Sequence, residues 1–272
     1  MLGLMGVVAG AAIAGPSLAK SSGTQRVEPI GLQLYTVRDL LAADTPGTLA
    51  TIAAAGYAEV ETAGYADLTA IQFAVALKDA GLSAPSAHVP LQLIESEPEN
   101  LIEAAHTVGH RYLVLPWLNE QQRDSLEQYR HIAAVLNKFG EQCAAAGIQL
   151  AYHNHDFEFV PIAGTLPYDL LLNECDAELV KFEMDLFWAV KAGVDPTAYF
   201  KAGPGRYPLC HVKDMNSAGE MVAVGDGDIN FAALFEAGEA GGLKHYFVEH
   251  DNPTDALASI RSSINAVRAI RF

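Results

Sequence analysis

Imidazoles and carboxylates recur in this chain directly after short runs of β-branched and aromatic residues. Glu59-Val60-Glu61, Ser86-Ala87-His88, His153-Asn154-His155-Asp156 (with Glu158 just beyond), Glu183-Met184-Asp185, His211-Val212-Lys213-Asp214 and Glu249-His250 each close such a run. Side chains alternate across an extended strand, so His153 shares a face with His155, and His211 with Lys213. Carboxylates and imidazoles brought together repel one another or stay unsatisfied unless a cation organises them. A mixed imidazole and carboxylate set suits Mn2+, Zn2+, Co2+ or Fe2+ better than Ca2+, which prefers oxygen alone. His153, Asp185, His211 and Glu249 end four consecutive runs and are the expected ligands of one divalent ion. Taken singly, each is an ordinary residue for capping a loop or a helix. Four at consecutive strand ends point to a metal.

The elements that must position these groups alternate in type. Strands are expected over 30–35, 57–61, 82–88, 112–115, 148–154, 180–185, 209–213 and 246–249. Between and after them, periodic Ala/Leu-rich segments predict helices over 48–55, 68–80, 98–108, 121–146 (one long helix or a broken pair), 168–175, 196–201, 231–240 and 254–270. Gly56, Gly81, Gly109 and Gly147 fall just past helices and shortly before strands, the place where a left-handed cap is needed. Eight such βα units imply a parallel sheet with helical crossovers, an α/β protein of the (β/α)8 TIM barrel class in a single domain. A doubly wound sheet is the alternative, but no G-x-G-x-x-G or G-x-x-x-x-G-K-[ST] follows any strand. In a barrel, the C-terminal strand ends build the active site, which is where the polar residues lie.

At this point the chain resembles the sugar phosphate isomerase/epimerase family, the xylose-isomerase-like barrels. The resemblance spans roughly residues 28–272 and is carried by IGLQLYTVRD (30–39), GYAEVE (56–61), AHV (87–89), AYHNHDFEF (151–159), FEMDLFW (182–188), HVKD (211–214), GDGDINF (225–231) and YFVEHD (246–251). It implies a divalent metal held from strands five to eight, at His153, Asp185, His211 and Glu249. Epimerases of the family carry a Glu where this chain has His153, so His155, two residues on and on the same face, is the alternate ligand. That change also removes one of the two carboxylates those epimerases use for proton transfer.

The remaining polar strand ends are expected to serve substrate or to support the ligands. Lys213 faces the same way as His211 and suits a substrate oxygen or a proton donor, or else a salt bridge to an acid such as Asp214. Glu158 suits the orientation of a ligand histidine through its second ring nitrogen, or simply a solvated loop. Trp188 and His155 suit a sugar face, core packing being the other reading of Trp188. Glu61 and His88 sit where they can bind sugar hydroxyls or cap loops. Gly225-Asp226-Gly227-Asp228 reads as turn chemistry. Together these imply a metal-dependent sugar isomerase or epimerase. Glu249, assisted by Lys213 and Glu158, would remove a proton beside a carbonyl and leave an enediolate. The same intermediate can expel a β-substituent, so a lyase or dehydratase of 3-keto-glycosides or keto-polyols is the alternative reaction.

The bulk composition narrows the rivals. Acidic residues outnumber basic ones 33 to 17 in 272 residues, a formal charge of −16. That charge repels a phosphate backbone and disfavours an endonuclease IV-like nuclease. A non-catalytic sugar-binding barrel would need no stoichiometric metal. Cys143, Cys175 and Cys210 are odd in number and widely spaced, making neither a disulfide framework nor a zinc motif. Residues 1–19 carry no charge, and Ser17-Leu18-Ala19 fits a signal-peptidase site. The stretch is too short and too rich in Gly and Ala for a membrane span, and resembles the tail of a twin-arginine signal whose Arg-Arg segment lies upstream. Residues 1–26 are therefore set apart as a leader and 27–272 as the catalytic domain. Export to the periplasm is expected, or a cytoplasmic location if the segment is a buried helix.

Overall fold

The computed structural model describes residues 23–272, so most of the expected leader lies outside the described residues. Its last residues run beside the C-terminus: Gln25 donates to the Phe272 carbonyl at 3.1 Å, and Phe272 donates back at 3.3 Å. Among the described residues no helix is long and apolar enough to cross a membrane.

The strands are β1 (Ile30–Gln33), β2 (Glu59–Thr62), β3 (Ser83–His88), β4 (Tyr112–Leu115), β5 (Gln149–His153), β6 (Val180–Asp185), β7 (Leu209–Val212), a short ladder of β8 (Asp214–Met215) with β9 (Met221–Val222), and β10 (His245–Val248). The eight longer strands close in the order β1-β10-β7-β6-β5-β4-β3-β2, every pair parallel. This is the single (β/α)8 barrel expected. Helices cover the outside of the strands and the barrel lumen covers the inside. Strands such as YLVL and LCHV are accordingly buried on both faces rather than on alternate ones.

Expected helices fall within a few residues of those observed. Gly56, Gly81 and Gly109 adopt left-handed conformations at helix C-caps, where a side chain would strain the backbone. The long segment after β4 is a broken pair, a 3-10 turn at Glu120–Gln122 and a helix at Leu126–Ala145 begun by the Ser125 side chain. Three short helices, Arg38–Ala43, Leu91–Ser96 and Leu186–Lys191, have no counterpart in the sequence reading. With six residues each they are shorter than two turns and show little period.

The lumen is layered, as the two-residue period of each strand dictates. Near the N-terminal ends, Glu59 faces His245. One step up, Val114, Ala151, Leu209 and Phe247 form a fully buried apolar cluster separate from the core under the helices. Gly31 makes room for this plug, because a Cβ there would lie 2.4 Å from the Phe247 ring. The next residues inward on the same strands include His153, His211 and Glu249.

Candidate metal centre and substrate cavity

The register that closes the barrel also sets the ligands side by side. His153 pairs with Glu183 across β5 and β6, and Asp185 with His211 across β6 and β7. His153, Asp185, His211 and Glu249 are each at most 5% exposed. Asp185 Oδ2 lies 3.7 Å from His153 Nε2, 3.8 Å from His211 Nδ1 and 3.0 Å from Lys213 Nζ. Glu249 Oε2 lies 2.8 Å from His211 Nδ1 and 2.7 Å from Lys213 Nζ. Metal bonds of about 2.0–2.3 Å require ligand atoms roughly 3 Å or slightly more apart, which this spacing provides. Asp185, His211 and Glu249 form one set with mutual donor distances within 4.8 Å; His88, His153, Glu183 and His211 form a second, and His153 lies beside Asp185 of the first.

Two further observations fit a cation. Asp185 Oδ2 and His211 Nδ1 are buried without an aligned hydrogen bond, although both face the common point. Four carboxylates are also buried here, Asp185 and Glu249 against the Lys213 ammonium and Glu61 and Glu183 against the imidazoles of His88 and His211. Ionised carboxylates cost several kcal/mol each to bury unless they are paired. Lys213 already reaches Asp185, Glu249 and, at 2.8 Å, Asp251. Burial alone would raise Glu249, but Lys213 and then His211 outweigh it and hold its carboxyl below the ordinary range. Burial dominates at Asp185 and raises it despite Lys213. His153 is kept neutral, first by burial and then by its neighbour His211. A neutral imidazole is the form that ligates.

The opposite edges of the two imidazoles rest on a carboxylate floor. His211 Nε2 lies 2.6 Å from Glu61 Oε2, and His153 Nδ1 lies 3.3 Å from Glu183 Oε2. Gln33 donates to Glu61 at 2.7 Å, and the Ser86 hydroxyl donates at 2.5 Å. Carboxylates placed behind ligand histidines fix the tautomer and the ring plane. Glu61, expected at the mouth among sugar hydroxyls, is therefore a corrected placement: it is wholly buried and lines no part of the cavity. The reason is register, since Glu61 pairs with Ser86, one step below the last residue of β3. Glu183 was absent from the expected set. Its alternation with Asp185 on one face was the signal available. His88 reaches the same floor, 2.9 Å from Glu183 and 3.1 Å from Glu61. Burial opposes its charge, but Glu61 first and then Glu183 bring it up to about 9. Glu183 is pushed up to about 7, mainly by burial and next by Glu61.

Other residues settle differently from their expected roles. His155 belongs to neither donor group and sits among aromatics, 4.6 Å from the Trp117 ring centre and 5.4 Å from that of Trp188. Glu158 touches no imidazole nitrogen. It accepts from the Tyr152 hydroxyl at 2.5 Å and from the His155 backbone at 2.8 Å, and burial lifts it to about 7. It shapes the turn that presents His155, because β5 ends at His153 and the next residues fold back in a 3-10 turn. Asp214, an alternative partner for Lys213, instead accepts backbone N–H groups of Met215, Gly225, Gly227 and Ile229, clasping the Gly-Asp turn. Trp188 donates its backbone N–H to Asp185 Oδ1 at 2.9 Å, so the helix Leu186–Lys191 begins on a metal-ligand candidate.

Above the donors opens a cavity of about 1210 Å³, lined by His88, His153, His155, Trp188, Lys213 and Glu249 among others. Lys213 thus faces both carboxylates and cavity. The arrangement can bind a divalent ion, hold a polar ligand against it, and move a proton at Glu249 or Lys213.

Comparison with known proteins agrees with this architecture. The model of a family described as xylose isomerase-like TIM barrel matches residues 49–270. Inosose dehydratase of Geobacillus thermodenitrificans is 28% identical over 151 residues, 49% of this chain and 50% of the enzyme. The chain spans about half the length of the curated relatives it matches. A sugar phosphate isomerase/epimerase from Parabacteroides distasonis superposes with a TM-score of 0.76 at 25% identity, covering 93% of this chain and 96% of that one. The probable 3-DHS dehydratase of Bacillus anthracis shares the fold, with a TM-score of 0.67 at 16% identity over 88% of this chain and 98% of the other. By its closed barrel and by the family model that spans most of it, this chain belongs to the xylose isomerase-like TIM barrel family.

Proposed function

We propose that this protein is a divalent-metal-dependent isomerase or epimerase of a sugar or keto-sugar. One observation carries the reading: donors from the ends of β6 and β7 and from just past β10 converge beneath an open cavity, two of their atoms buried without an aligned hydrogen bond, and His153 at the end of β5 lies beside them. His153, Asp185, His211 and Glu249 would hold the ion. When bound, the ion supplies Lewis acidity toward a carbonyl and neighbouring hydroxyl. Glu249 stays ionised beside Lys213 and is placed to take the proton from a substrate C–H and return it to the adjacent carbon. Lys213 holds Asp185, Glu249 and Asp251 together with its three N–H groups and so positions Glu249 at the base of the cavity. Glu158 acts through His155 as a positioning residue. Inosose dehydratase and the sugar phosphate isomerase/epimerase support a small polyol or sugar as the ligand.

The test is incubation of metal-loaded protein with a panel of ketoses and 3-keto-glycosides in D2O. Deuterium at one carbon, in a product with a moved carbonyl or an inverted centre, is the expected result. A product that has lost water or an aglycone assigns the reaction to elimination instead. Full turnover by chelator-treated, metal-free protein overturns the reading.

We also propose export, on the uncharged residues 1–19 ending in Ser17-Leu18-Ala19. Intact mass of the periplasmic protein should lack them. Met1 retained on the soluble, active form rejects export.

A further inference from the structure

The cavity is larger than its chemistry requires. At about 1210 Å³ it exceeds the 300–1,000 Å³ typical of pockets for drug-sized ligands, whereas the donors occupy only its base. Its outer part is walled by aromatic and aliphatic groups, including Tyr35, Tyr65, Val89, Leu93, Pro116 and Trp117. Tyr35 and Trp117 are 43% and 49% exposed, and they are two of the few large apolar side chains exposed among the described residues.

Neither ring is loose. Arg38 lies 4.1 Å over the Tyr35 ring and is itself fixed by the Asp251 carbonyl at 2.7 Å and Asn252 Oδ1 at 2.9 Å. Trp117 is met at right angles by His155 at 4.6 Å and Phe157 at 5.2 Å, and Arg123 lies 5.6 Å over its ring. Rings braced from behind and bare toward a cavity lose little entropy when a flat apolar group covers them.

The charges lining the cavity argue against a phosphate. Its cations are Lys191 and Lys213 beside the imidazoles, and its acids include Asp156, Glu249 and Asp251. The Lys213 ammonium is already held by Asp185, Glu249 and Asp251. Lys191 lies 4.9 Å over Trp188, and the backbone N–H of Trp188 is taken by Asp185. No Arg pair of the kind that clamps a phosphate lines it.

We infer that the outer cavity is a second subsite, with Trp117 and Tyr35 as its platform, for an uncharged apolar ring attached to the sugar. The substrate class is then a keto-glycoside with a ring aglycone, its sugar carrying the carbonyl that the proposed proton transfer needs, rather than a sugar phosphate. This rests on the reading of the base as a sugar site.

The test is calorimetric titration of the metal-loaded protein with 4-nitrophenyl β-D-glucopyranoside, methyl β-D-glucopyranoside and glucose 6-phosphate. The aryl glycoside should bind about tenfold more tightly than the methyl glycoside, and the phosphate no better than the methyl glycoside. Trp117→Ala should erase the aryl advantage and Trp117→Phe should restore most of it, each with bound metal and thermal midpoint unchanged. Tightest binding by the phosphate, or an aryl advantage that survives Trp117→Ala, overturns the subsite. Metal content, measured on the same samples, separates that failure from failure of the metal site itself.

Discussion

The two ends of the barrel lumen each bury histidine against glutamate, with opposite outcomes. At the N-terminal end, His245 Nδ1 lies 2.9 Å from Glu59 and its Nε2 lies 3.2 Å from an Arg111 guanidinium nitrogen. Arg111 must donate to Nε2, so Nδ1 carries the proton and donates to Glu59. Every polar edge of that imidazole is used, and one cation balances one anion. At the C-terminal end, Glu61, Glu183, Asp185 and Glu249 crowd Lys213 and three imidazoles, and several of their atoms remain unpartnered. Identical residue types thus make a finished structural contact at one end and an unfinished one at the other. Buried polar atoms that lack an aligned hydrogen bond, rather than the presence of His and Glu, set the C-terminal end apart.

Five measurements test this contrast and the buried histidines around it. The largest effect should come from Asp185→Ala, which removes a central donor. Bound metal should fall from one equivalent to near zero by elemental analysis, and turnover should vanish while the circular dichroism of the barrel persists. An unaltered metal content would make both ends merely structural. Glu59→Ala should do the reverse, costing about 2 kcal/mol in chemical denaturation by leaving the buried His245 N–H without its acceptor, with metal content intact.

A pH titration probes another buried imidazole, His110, which lies outside the lumen contacts. His110 bonds the Ala84 carbonyl at 2.7 Å and the Tyr65 hydroxyl at 3.0 Å, and burial lowers it to about 4. Its folded value lies below the unfolded 6.5, so the stability it contributes is complete above pH 6.5 and is lost as pH falls toward 4. Denaturation at pH 7 and 4.5 should differ by between about 2 and 3 kcal/mol more in the native protein than in His110→Gln. Equal pH dependence in the two would show that His110 titrates normally.

Smaller effects test the floor and the alternate ligand. Glu61→Gln should weaken metal binding about 10–100-fold in chelator competition, because the imidazole of His211 loses its charged support. His153→Ala should lower metal affinity and His155→Ala should leave it within error. The opposite ranking would move the fourth ligand to His155.

Strand order and strand ends were legible in the sequence, as was the proximity of Asp185, His211 and Glu249, because period and position along a parallel strand are local properties. What was not legible depends on depth. Glu61 and Glu183 lie one residue pair below the rim, and nothing in a strand's own sequence says where its neighbour's register will put the rim. Lys213 was seen as facing inward, yet its partners Glu249 and Asp251 come from the loop just past β10, and Asp185 from β6. The Tyr152–Glu158 contact escaped because the 3-10 turn at Phe157–Phe159, which folds Glu158 back under β5, is too short to leave a periodic signal.

The apolar layer of Val114, Ala151, Leu209 and Phe247 has a kinetic consequence. Among the described residues it closes the lumen beneath the cavity as a stopper closes a tube, and the cavity above it reaches outward past Tyr35 and Trp117. In the proposed reaction, substrate and product would share that passage, and product would have to clear it before the next turnover. Opening the stopper, for instance by Phe247→Ala, would admit water from beneath rather than provide a second exit.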